Sequence, residues 1–234
     1  MIVLSSDMRQ LLVDSGISVE KTCCISNWAD TESICPVDRD NDFLQRHSLD
    51  RKFVVMYSGN PGLTQCLQDF VEAAALLQGE SDVHFVCIGQ GARRADLERQ
   101  VKDLELANVS FFDYQPIEEL AHSLSAADLH LIPLNKDLSR CLMPSKRYGI
   151  LAAGRPYLVT APEGCELFEI TTRYQVGVTV PPDNPQLVAD AIREAKSKPE
   201  QLREMRNRAR DLAESKFTRK HSIDAFSQAL MEVA

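Results

Sequence analysis

The segment Cys141–Thr160, CLMPSKRYGILAAGRPYLVT, holds the residues whose types and spacing most directly suggest chemistry. Pro144 and Ser145 predict the start of a short helix, and Lys146 and Arg147 follow at once. Cations in a first helical turn oppose the helix dipole by roughly 0.3–1 kcal/mol each. An anion held between the helix N-terminus and Lys146 would reverse that sign. The segment therefore predicts an anion site at Lys146, with Arg147 at the surface; the alternative is that both cations are simply solvated.

The charge of the whole chain favours a small anion over a nucleic acid as the ligand. The sequence has 26 Lys and Arg against 34 Asp and Glu, a formal net charge of −8, whereas nucleic-acid binding depends on a basic surface. Between residues 138 and 162 there is no Asp or Glu, and the same stretch contains four cations: Arg140, Lys146, Arg147 and Arg155. We therefore predict one local positive surface on an acidic protein.

The elements that would position this segment alternate between apolar, β-branched runs and amphipathic helical patterns. The predicted strands are residues 53–58, 83–89, 109–113, 129–134, 156–160 and 176–180. The helical patterns between and after them cover residues 63–77, 93–103, 117–126, 166–172 and 185–196, besides the helix at Lys146. This order predicts an α/β fold with a doubly wound, Rossmann-like parallel sheet that is covered on both faces.

Both ends of the chain are predicted to lie outside this sheet. Residues 1–26 predict a strand, a helix capped by Ser5 or Ser6 and ended at Gly16, and a second strand, as at the end of an earlier domain. Residues 27–52 would link them to a domain over residues 53–198. Residues 199–234 predict two helices, Pro199–Ser215 and Arg219–Val233. The last of these has an apolar stripe made of Ile223, Phe226 and Leu230.

Five loops follow the predicted strands, and in a parallel sheet such loops meet at one edge, where ligands bind. They are YSGNPG (57–62), IGQGARR (88–94), DYQP (113–116), residues 133–146, and TAPEGCE (160–166). Glycines in the first two loops expose backbone N–H groups ahead of a helix, which favours anions. Because Gly and Pro also occur in ordinary strand–helix turns, the fourth loop, with Lys146, carries more weight than the others.

Two other motifs, for a dinucleotide and for calcium, match the sequence only in part. The second loop nearly matches a dinucleotide-binding fingerprint, but Arg94 stands where a third Gly or Ala is required, and the match falls on the second strand–helix unit of the sheet. The acidic run DRDND (38–42) lacks the glycine of a calcium loop, so Asp42 is expected to cap a short helix instead. We therefore expect neither a nicotinamide cofactor nor a metal.

Cysteine usage and hydropathy predict a cytoplasmic location. Seven cysteines without C-x-x-C spacing indicate reduced thiols rather than a disulfide or zinc framework. No apolar run approaches the roughly 18 residues of a membrane span. The N-terminus MIVLSSDMRQ lacks the basic start and cleavage site of a secretory signal.

Taken together, these segments resemble the family 4 glycosyltransferases, most of all the colanic-acid and other exopolysaccharide enzymes of bacteria. The resemblance is carried by ISNWADTESICP (25–36), YSGNPG, IGQGARR, AADLHLIPL (126–134) and, most specifically, MPSKRYGILAAGRP (143–156). Such enzymes have the GT-B architecture, in which an N-terminal acceptor domain and a C-terminal nucleotide-sugar domain face a cleft. The resemblance implies that residues 53–198 are the nucleotide-sugar domain, that 199–234 are its C-terminal helices, and that 1–26 are a remnant of the acceptor domain joined by the interdomain segment 27–52.

The resemblance also implies an activity and a set of donor-binding residues. The reaction would be metal-independent transfer of a sugar from a nucleotide diphosphate sugar to a saccharide or lipid-linked acceptor, with peripheral contact at the inner membrane face. Cations and helix N-termini would stabilise the charge of the leaving group. The implied contacts are Gly59, Asn60 and Gly62 with the phosphates and sugar, Arg93, Lys146 and the backbone at Ser145 with the diphosphate, the backbone around Tyr114 and Gln115 with the base, and Glu166 with a sugar or ribose hydroxyl. Gly91 is also implied to bind the donor.

The sequence departs from the family pattern in ways that leave the activity open. Cys141 and Gly149 stand where the wider family has two glutamates, so no catalytic residue is identified, and Leu63 stands where a cation often follows the first-loop glycine. The acceptor domain would be missing because the chain is truncated or split, because a second subunit supplies it, or because the chain is a donor-binding remnant. The alternative function is therefore a non-catalytic nucleotide-sugar-binding module, and the stripe on the last helix would favour self-association.

Overall fold

The computed structural model describes residues 1–62, 64 and 66–231, which form a six-stranded parallel sheet and a separate two-stranded one. The strands are β1 (Ile2–Val3), β2 (Cys23–Cys24), β3 (Phe53–Ser58), β4 (Val83–Ile88), β5 (Val109–Phe112), β6 (Leu129–Pro133), β7 (Tyr157–Thr160) and β8 (Gly177–Val180). The larger sheet has the order β5-β4-β3-β6-β7-β8. The doubly wound α/β fold predicted from the sequence is confirmed.

Helices precede the larger sheet, connect its successive strands and follow its last one. They are α1 (Ser6–Asp14), α2 (Asp42–Arg46), α3 (Gln68–Leu76), α4 (Arg94–Asp103), α5 (Leu120–Ser125), α6 (Lys146–Ala152), α7 (Glu166–Tyr174), α8 (Pro185–Ser197), α9 (Pro199–Lys216) and α10 (Arg219–Met231). Single 3₁₀ turns occupy Val19–Lys21, Ile117–Glu119 and Lys136–Leu138. The helices cover both faces of the sheet, as its buried, β-branched strands require.

The strand order creates a crevice between β3 and β6. The chain builds outward from β3 to β4 and β5, and then returns through α5 to place β6 on the other side of β3. Connections that leave in opposite directions at such a reversal open a crevice at the carboxyl ends of the two strands. The loops after β3 and β6 are therefore the ones that face each other across it.

The core forms because side chains of the central strands alternate between the two faces of the sheet. On β3, Val55 and Tyr57 pack into the cluster that includes residues of α3 and α8, while Val54 and Met56 pack into a cluster with Phe43 of α2. All four are fully buried. This period-two alternation is what two-sided coverage of a strand requires. It fixes the register of β3 and so the position of the loop that follows it.

The N-terminal residues form their own small sheet, in which β1 and β2 pair in parallel. Ser5 caps α1, because its hydroxyl accepts a hydrogen bond from the Met8 N–H at 3.1 Å. The last helix, α10, returns to this region, where Ser222 Oγ donates to Ser26 O at 3.0 Å. Its predicted apolar stripe is exposed in the structure: Ile223, Phe226 and Leu230 are 49%, 42% and 63% exposed.

Four local predictions need correction or lie outside the described residues. Asn41, not Asp42, caps α2, because its side chain accepts from the Phe43 N–H at 3.0 Å. Helix α3 begins at Gln68, later than the pattern predicted. Leu63 in the first loop and Val233 at the end of the last predicted helix are not among the described residues.

Candidate functional site

The first two loops at the carboxyl edge of the sheet touch because glycines leave room for the contact. A Cβ atom on Gly89 would lie 2.1 Å from the carbonyl oxygen of Gly59, and one on Gly91 would lie 2.0 Å from Asn60 Oδ1. Gly59 and Gly89 also have φ of +145° and +131°, values that favour glycine. The Arg93 N–H donates to Pro61 O at 2.9 Å and closes the contact.

Arg94 explains why the second loop departs from a dinucleotide fingerprint. Its Nη1 donates to the carbonyl oxygens of Phe112 at 2.9 Å and Gly89 at 2.5 Å, and its guanidinium carbon lies 5.0 Å from the centre of the Phe111 ring. Arg94, at the position where a dinucleotide-binding turn has Gly or Ala, thus connects the loops after β4 and β5. The glycines of this loop serve loop packing.

Lys146 enters the crevice from the first turn of α6 and lies over the first loop. Its Nζ is 3.7 Å from the centre of the Tyr57 ring, and a Cβ atom on Gly59 would lie 3.3 Å from the same nitrogen. The Tyr57 hydroxyl donates to Asn60 O at 2.7 Å, which fixes the ring beneath the ammonium. Burial lowers the pKa of Lys146 to about 7. The side chain is thus a poorly hydrated cation at an aromatic face.

Lys146 lines a cleft of about 390 Å³ between the loops after β3 and β6. One part of the lining is polar and contains Ser58, Gly59, Asn60, Ser145 and Lys146; the other is apolar and contains Leu120, Leu124, Leu134, Leu142 and Met143. Such a cleft can hold an anionic group at Lys146 and a less polar group against the leucines. The sequence predicted the polar part, but it gave no role to Tyr57 or to the leucine wall, because side chains from α5 and the loop after β6 meet only in the fold.

Arg147 is not a surface residue, contrary to the prediction. Its side chain is fully buried, with Nη2 2.9 Å from the Tyr148 hydroxyl and 3.6 Å from Glu166 Oε1. The guanidinium carbon also lies 5.3 Å from the centre of the Phe217 ring at the end of α9. Aromatic faces and one carboxylate therefore replace part of the water that the charge would lose on burial, while Nε and Nη1 have no hydrogen-bond partner among the described residues.

The four cations of the acid-free stretch do not form one positive surface, which corrects a second prediction. Arg140 is exposed and pairs with Asp14, and Arg155 is 4% exposed and donates to Val37 O at 3.0 Å. Arg147 lies in the core. Of the four, Lys146 alone lines the cleft. Lys146 and Arg147 separate because a helix turns successive residues by about 100°, whereas Arg140 and Arg155 lie outside α6, in the turns before and after it.

Glu166 binds the N-terminal segment in this structure. Its Oε2 accepts hydrogen bonds from the Ser6 hydroxyl at 2.7 Å and from the Ser6 N–H, while Asp7 Oδ2 accepts from the Glu166 N–H at 2.7 Å. A carboxylate from the first turn of each helix, α1 and α7, thus accepts a hydrogen bond from the N-terminus of the other. Negative charge is favourable at both of these helix N-termini. Burial raises the pKa of Asp7. The role of Glu166 toward a hydroxyl group stays a prediction.

The other predicted site residues do not line the cleft. Tyr114 is 55% exposed and donates to Gln90 O at 3.1 Å, and Gln115 donates to Asp113 O at 2.9 Å. Gly62 lies beside Asn60 in the first loop. Their donor-binding roles, like that of Arg93, stay predictions.

The position of the family's second glutamate lies in the cleft wall. A Cβ atom on Gly149 would lie 3.5 Å from Leu124 Cδ1 and 3.9 Å from Ile34 Cδ1, so this spot is apolar. Cys141 is exposed. Within the described ranges, 1–62, 64 and 66–231, no group of three or more His, Cys, Asp or Glu side chains could hold a metal ion, and no helix has the length and apolar character needed to cross a membrane.

A family model described as glycosyl transferases group 1 matches residues 38–212. The chain is 31% identical over 197 residues to WcaI of Escherichia coli K12, which carries the name colanic acid biosynthesis glycosyl transferase, and the match spans 82% of this chain and 48% of that protein. The chain therefore spans about half the length of this relative.

Two solved structures are similar in fold. Anabaena HepE in complex with UDP-glucose matches with a TM-score of 0.83 at 15% identity, over 99% of this chain and 62% of that one. The C-terminal domain of LpcC, a group 1 protein of Francisella tularensis, matches with a TM-score of 0.65 at 22% identity, over 82% of this chain and 99% of that one. The sheet and its flanking helices thus have the fold of a glycosyltransferase C-terminal domain.

Proposed function

The chain belongs to the group 1 glycosyltransferases, and from this premise we propose that it binds a nucleotide diphosphate sugar in the cleft at Lys146 and supplies the donor half of a glycosyltransferase. The acceptor is a saccharide or a lipid-linked saccharide of bacterial polysaccharide synthesis, as the name of the E. coli relative suggests. The subgroup is family 4, and transfer needs an acceptor domain from the same or another polypeptide. Transfer takes place in the cytoplasm, with peripheral contact at the inner membrane face where the acceptor is lipid-linked.

The arrangement of Lys146 over Gly59 and Tyr57 is the observation that carries this proposal. Burial lowers the pKa of the ammonium, and in this poorly hydrated setting an anion beside it is stabilised more strongly than in water. When the bond between sugar and diphosphate breaks, negative charge grows on the departing phosphate. A lysine held at that oxygen stabilises the transition state more than the ground state, which is the condition for catalysis without a metal.

The remaining donor contacts follow from the loops that meet at this edge. We assign the backbone of Gly59, Gly62 and Gly91, with Asn60, to the phosphates and sugar, and Ser145 to the diphosphate beside Lys146. Arg93 approaches the same phosphates from the second loop, and the third loop, at Tyr114 and Gln115, contacts the base. Glu166 reaches a hydroxyl group of the donor only when it leaves Ser6.

A non-catalytic nucleotide-sugar-binding module is the second candidate, and one observation favours it. The cleft wall at Gly149 is apolar and Cys141 is exposed, so the two family carboxylate positions offer no acid that could assist transfer. Sugar transfer should therefore be assayed with the chain alone and with an added acceptor domain. Activity in either mixture supports the enzyme, and its absence in both supports the module.

The binding experiment compares nucleotide diphosphates with nucleosides by isothermal titration calorimetry. Lys146→Ala should weaken the binding of UDP, GDP or dTDP by at least about tenfold, the size of one lost charge-assisted hydrogen bond. The affinity for the matching nucleoside should not change. Lys136→Ala is the control, because Lys136 lies on the same β6–α6 connection but pairs with Asp183 at 2.6 Å. Equal weakening of nucleotide and nucleoside would remove Lys146 from the phosphate site.

A further inference from the structure

A second cavity, of about 400 Å³, lies at the amino-terminal edge of the sheet, opposite the donor cleft. It is formed where the segment before α2 meets α9 and the turn that leads into β7. Its lining is rich in arginine and consists of Pro36, Val37, Asp38, Arg39, Gly154, Arg155, Arg206, Asn207, Arg210 and Asp211. Neither the family match nor the donor site accounts for four guanidinium groups here.

Two of these arginines are fully engaged by the protein. Arg39 binds both carboxylate oxygens of Asp128, at 2.8 and 3.0 Å, and also donates to backbone carbonyl oxygens. Arg210 pairs with Glu214 and donates to the carbonyl oxygens of Thr31, Ile34 and Ala152. These contacts fasten the linking segment to the domain and leave Arg39 and Arg210 with little capacity for a ligand.

Arg155 and Arg206 are less well satisfied. Arg155 is 4% exposed, and its Nη2 donates to Val37 O; Arg206 reaches Asp128 Oδ1 only at 3.2 Å. Within the described part of the chain, the buried Nε atoms of both have no hydrogen-bond partner. A buried donor without a partner costs more than an ordinary hydrogen bond gains.

The local balance of charge is also incomplete. Burial, together with the charges of Arg206 and Arg39, lowers the pKa of Arg155 to about 10, while Asp128 and Asp38 oppose the shift. Asp128 is already shared by Arg39, Arg206 and the Val54 N–H. The other acids of the lining, Asp38 and Asp211, are exposed at the rim, where water screens them. The interior of the cavity therefore favours an anion.

We propose that this cavity is a binding site for a small oxyanion, a phosphate group or its analogue, held between Arg155 and Arg206. Planar guanidinium groups match the oxygens of phosphate in geometry and charge. The phosphate belongs either to a soluble compound or to a lipid headgroup, since both present the same oxygens. The site does not depend on the function proposed for the cleft.

The test titrates inorganic phosphate by calorimetry into protein that carries Lys146→Met, so that the donor cleft does not contribute. We expect saturable binding that Arg206→Gln weakens by about tenfold. Arg203→Gln is the matched control, since Arg203 lies on the same helix and its exposed side chain pairs with Glu200. Arg155→Gln is a poor first choice because a buried charge is removed from a packed site, whereas Arg206 is partly exposed.

Vesicles of phosphatidylcholine with phosphatidic acid distinguish the two sources of phosphate. Sedimentation with the vesicles that is lost in Arg206→Gln and competed by inorganic phosphate identifies a headgroup site. Binding of inorganic phosphate without sedimentation identifies a soluble ligand. The proposal is overturned when phosphate does not bind saturably, when Arg206→Gln binds as well as Arg203→Gln, or when vesicle binding is insensitive to phosphate.

Discussion

Lys146 and Arg147 are adjacent cations in the first turn of α6, yet they lie in two different regions of the molecule. Lys146 lies in the cleft, above glycine and tyrosine, and its pKa falls to about 7. Arg147 lies in the core between α6, α7 and α9, where Glu166 and aromatic rings surround it. Lys146 is placed where a ligand can bind, whereas Arg147 contributes to the packing of the core. Similar charge on neighbouring residues therefore says little about role until the surroundings are known.

The largest expected effect comes from removing the core cation. Arg147→Ala should lower the free energy of unfolding by about 3 kcal/mol, because it removes the cation opposite Glu166 and opens a cavity beside Phe217. Urea denaturation measures the change. Arg140→Ala, which removes an exposed partner of Asp14, should leave stability unchanged. Equal effects of the two variants would show that Arg147 contributes no more than a surface residue.

A smaller loss is expected from filling the space between the first two loops. Gly89→Ala should cost about 2 kcal/mol, because the new Cβ would meet Gly59 O at 2.1 Å and the residue has a positive φ. The displaced first loop should also weaken nucleotide diphosphate binding. Gly79→Ala is the control, since a Cβ there has open space around it. A stable Gly89→Ala variant with normal binding would mean that the loop contact does not shape the cleft.

Lys146, the cation in the cleft, should make the stability of the protein depend on pH. The folded pKa of Lys146, about 7, lies below its ordinary value of 10.5, so between these values the unfolded chain binds more protons than the folded one. Stability should therefore rise with pH in this window. Relative to Lys146→Met, the free energy of unfolding of the wild type should rise by about 1 kcal/mol between pH 7 and pH 9. This figure is reduced because the Lys146 side chain is partly exposed. Parallel stability curves for the two proteins would contradict the lowered pKa.

The same property predicts that binding of a nucleotide diphosphate at pH 8 takes up a proton. A phosphate beside Lys146 raises its pKa and so returns the ammonium form. Titrations in two buffers with different ionisation enthalpies measure the uptake directly. Lys146→Met should abolish it, and uptake that persists in this variant would assign the proton to another group.

The sequence predicted the strands of the main sheet to within about one residue, because buried β-branched runs end at glycine and proline. It also identified the edge where the loops meet and the lysine in the cleft. It failed for Arg147, because helical position gives no information about a partner such as Phe217, which lies 70 residues further along the chain. The contact of Glu166 with Ser6 was not predicted for the same reason, because Ser6 lies 160 positions earlier in the chain. Local patterns specify elements, whereas contacts between distant elements decide what a charged side chain does.

The smallest expected effect on ligand binding concerns Glu166, which links the two regions. Glu166→Gln keeps an acceptor for Ser6 but removes the charge opposite the buried Arg147, so the free energy of unfolding should fall by about 2 kcal/mol. Titration of the variant with a nucleotide diphosphate and with its sugar derivative then decides where the residue belongs. If Glu166 acts only in the core, both ligands should bind as they do to wild type. Selective loss of affinity for the sugar derivative would place the carboxylate in the donor site, and would mean that it exchanges Ser6 for a sugar hydroxyl when the cleft is filled.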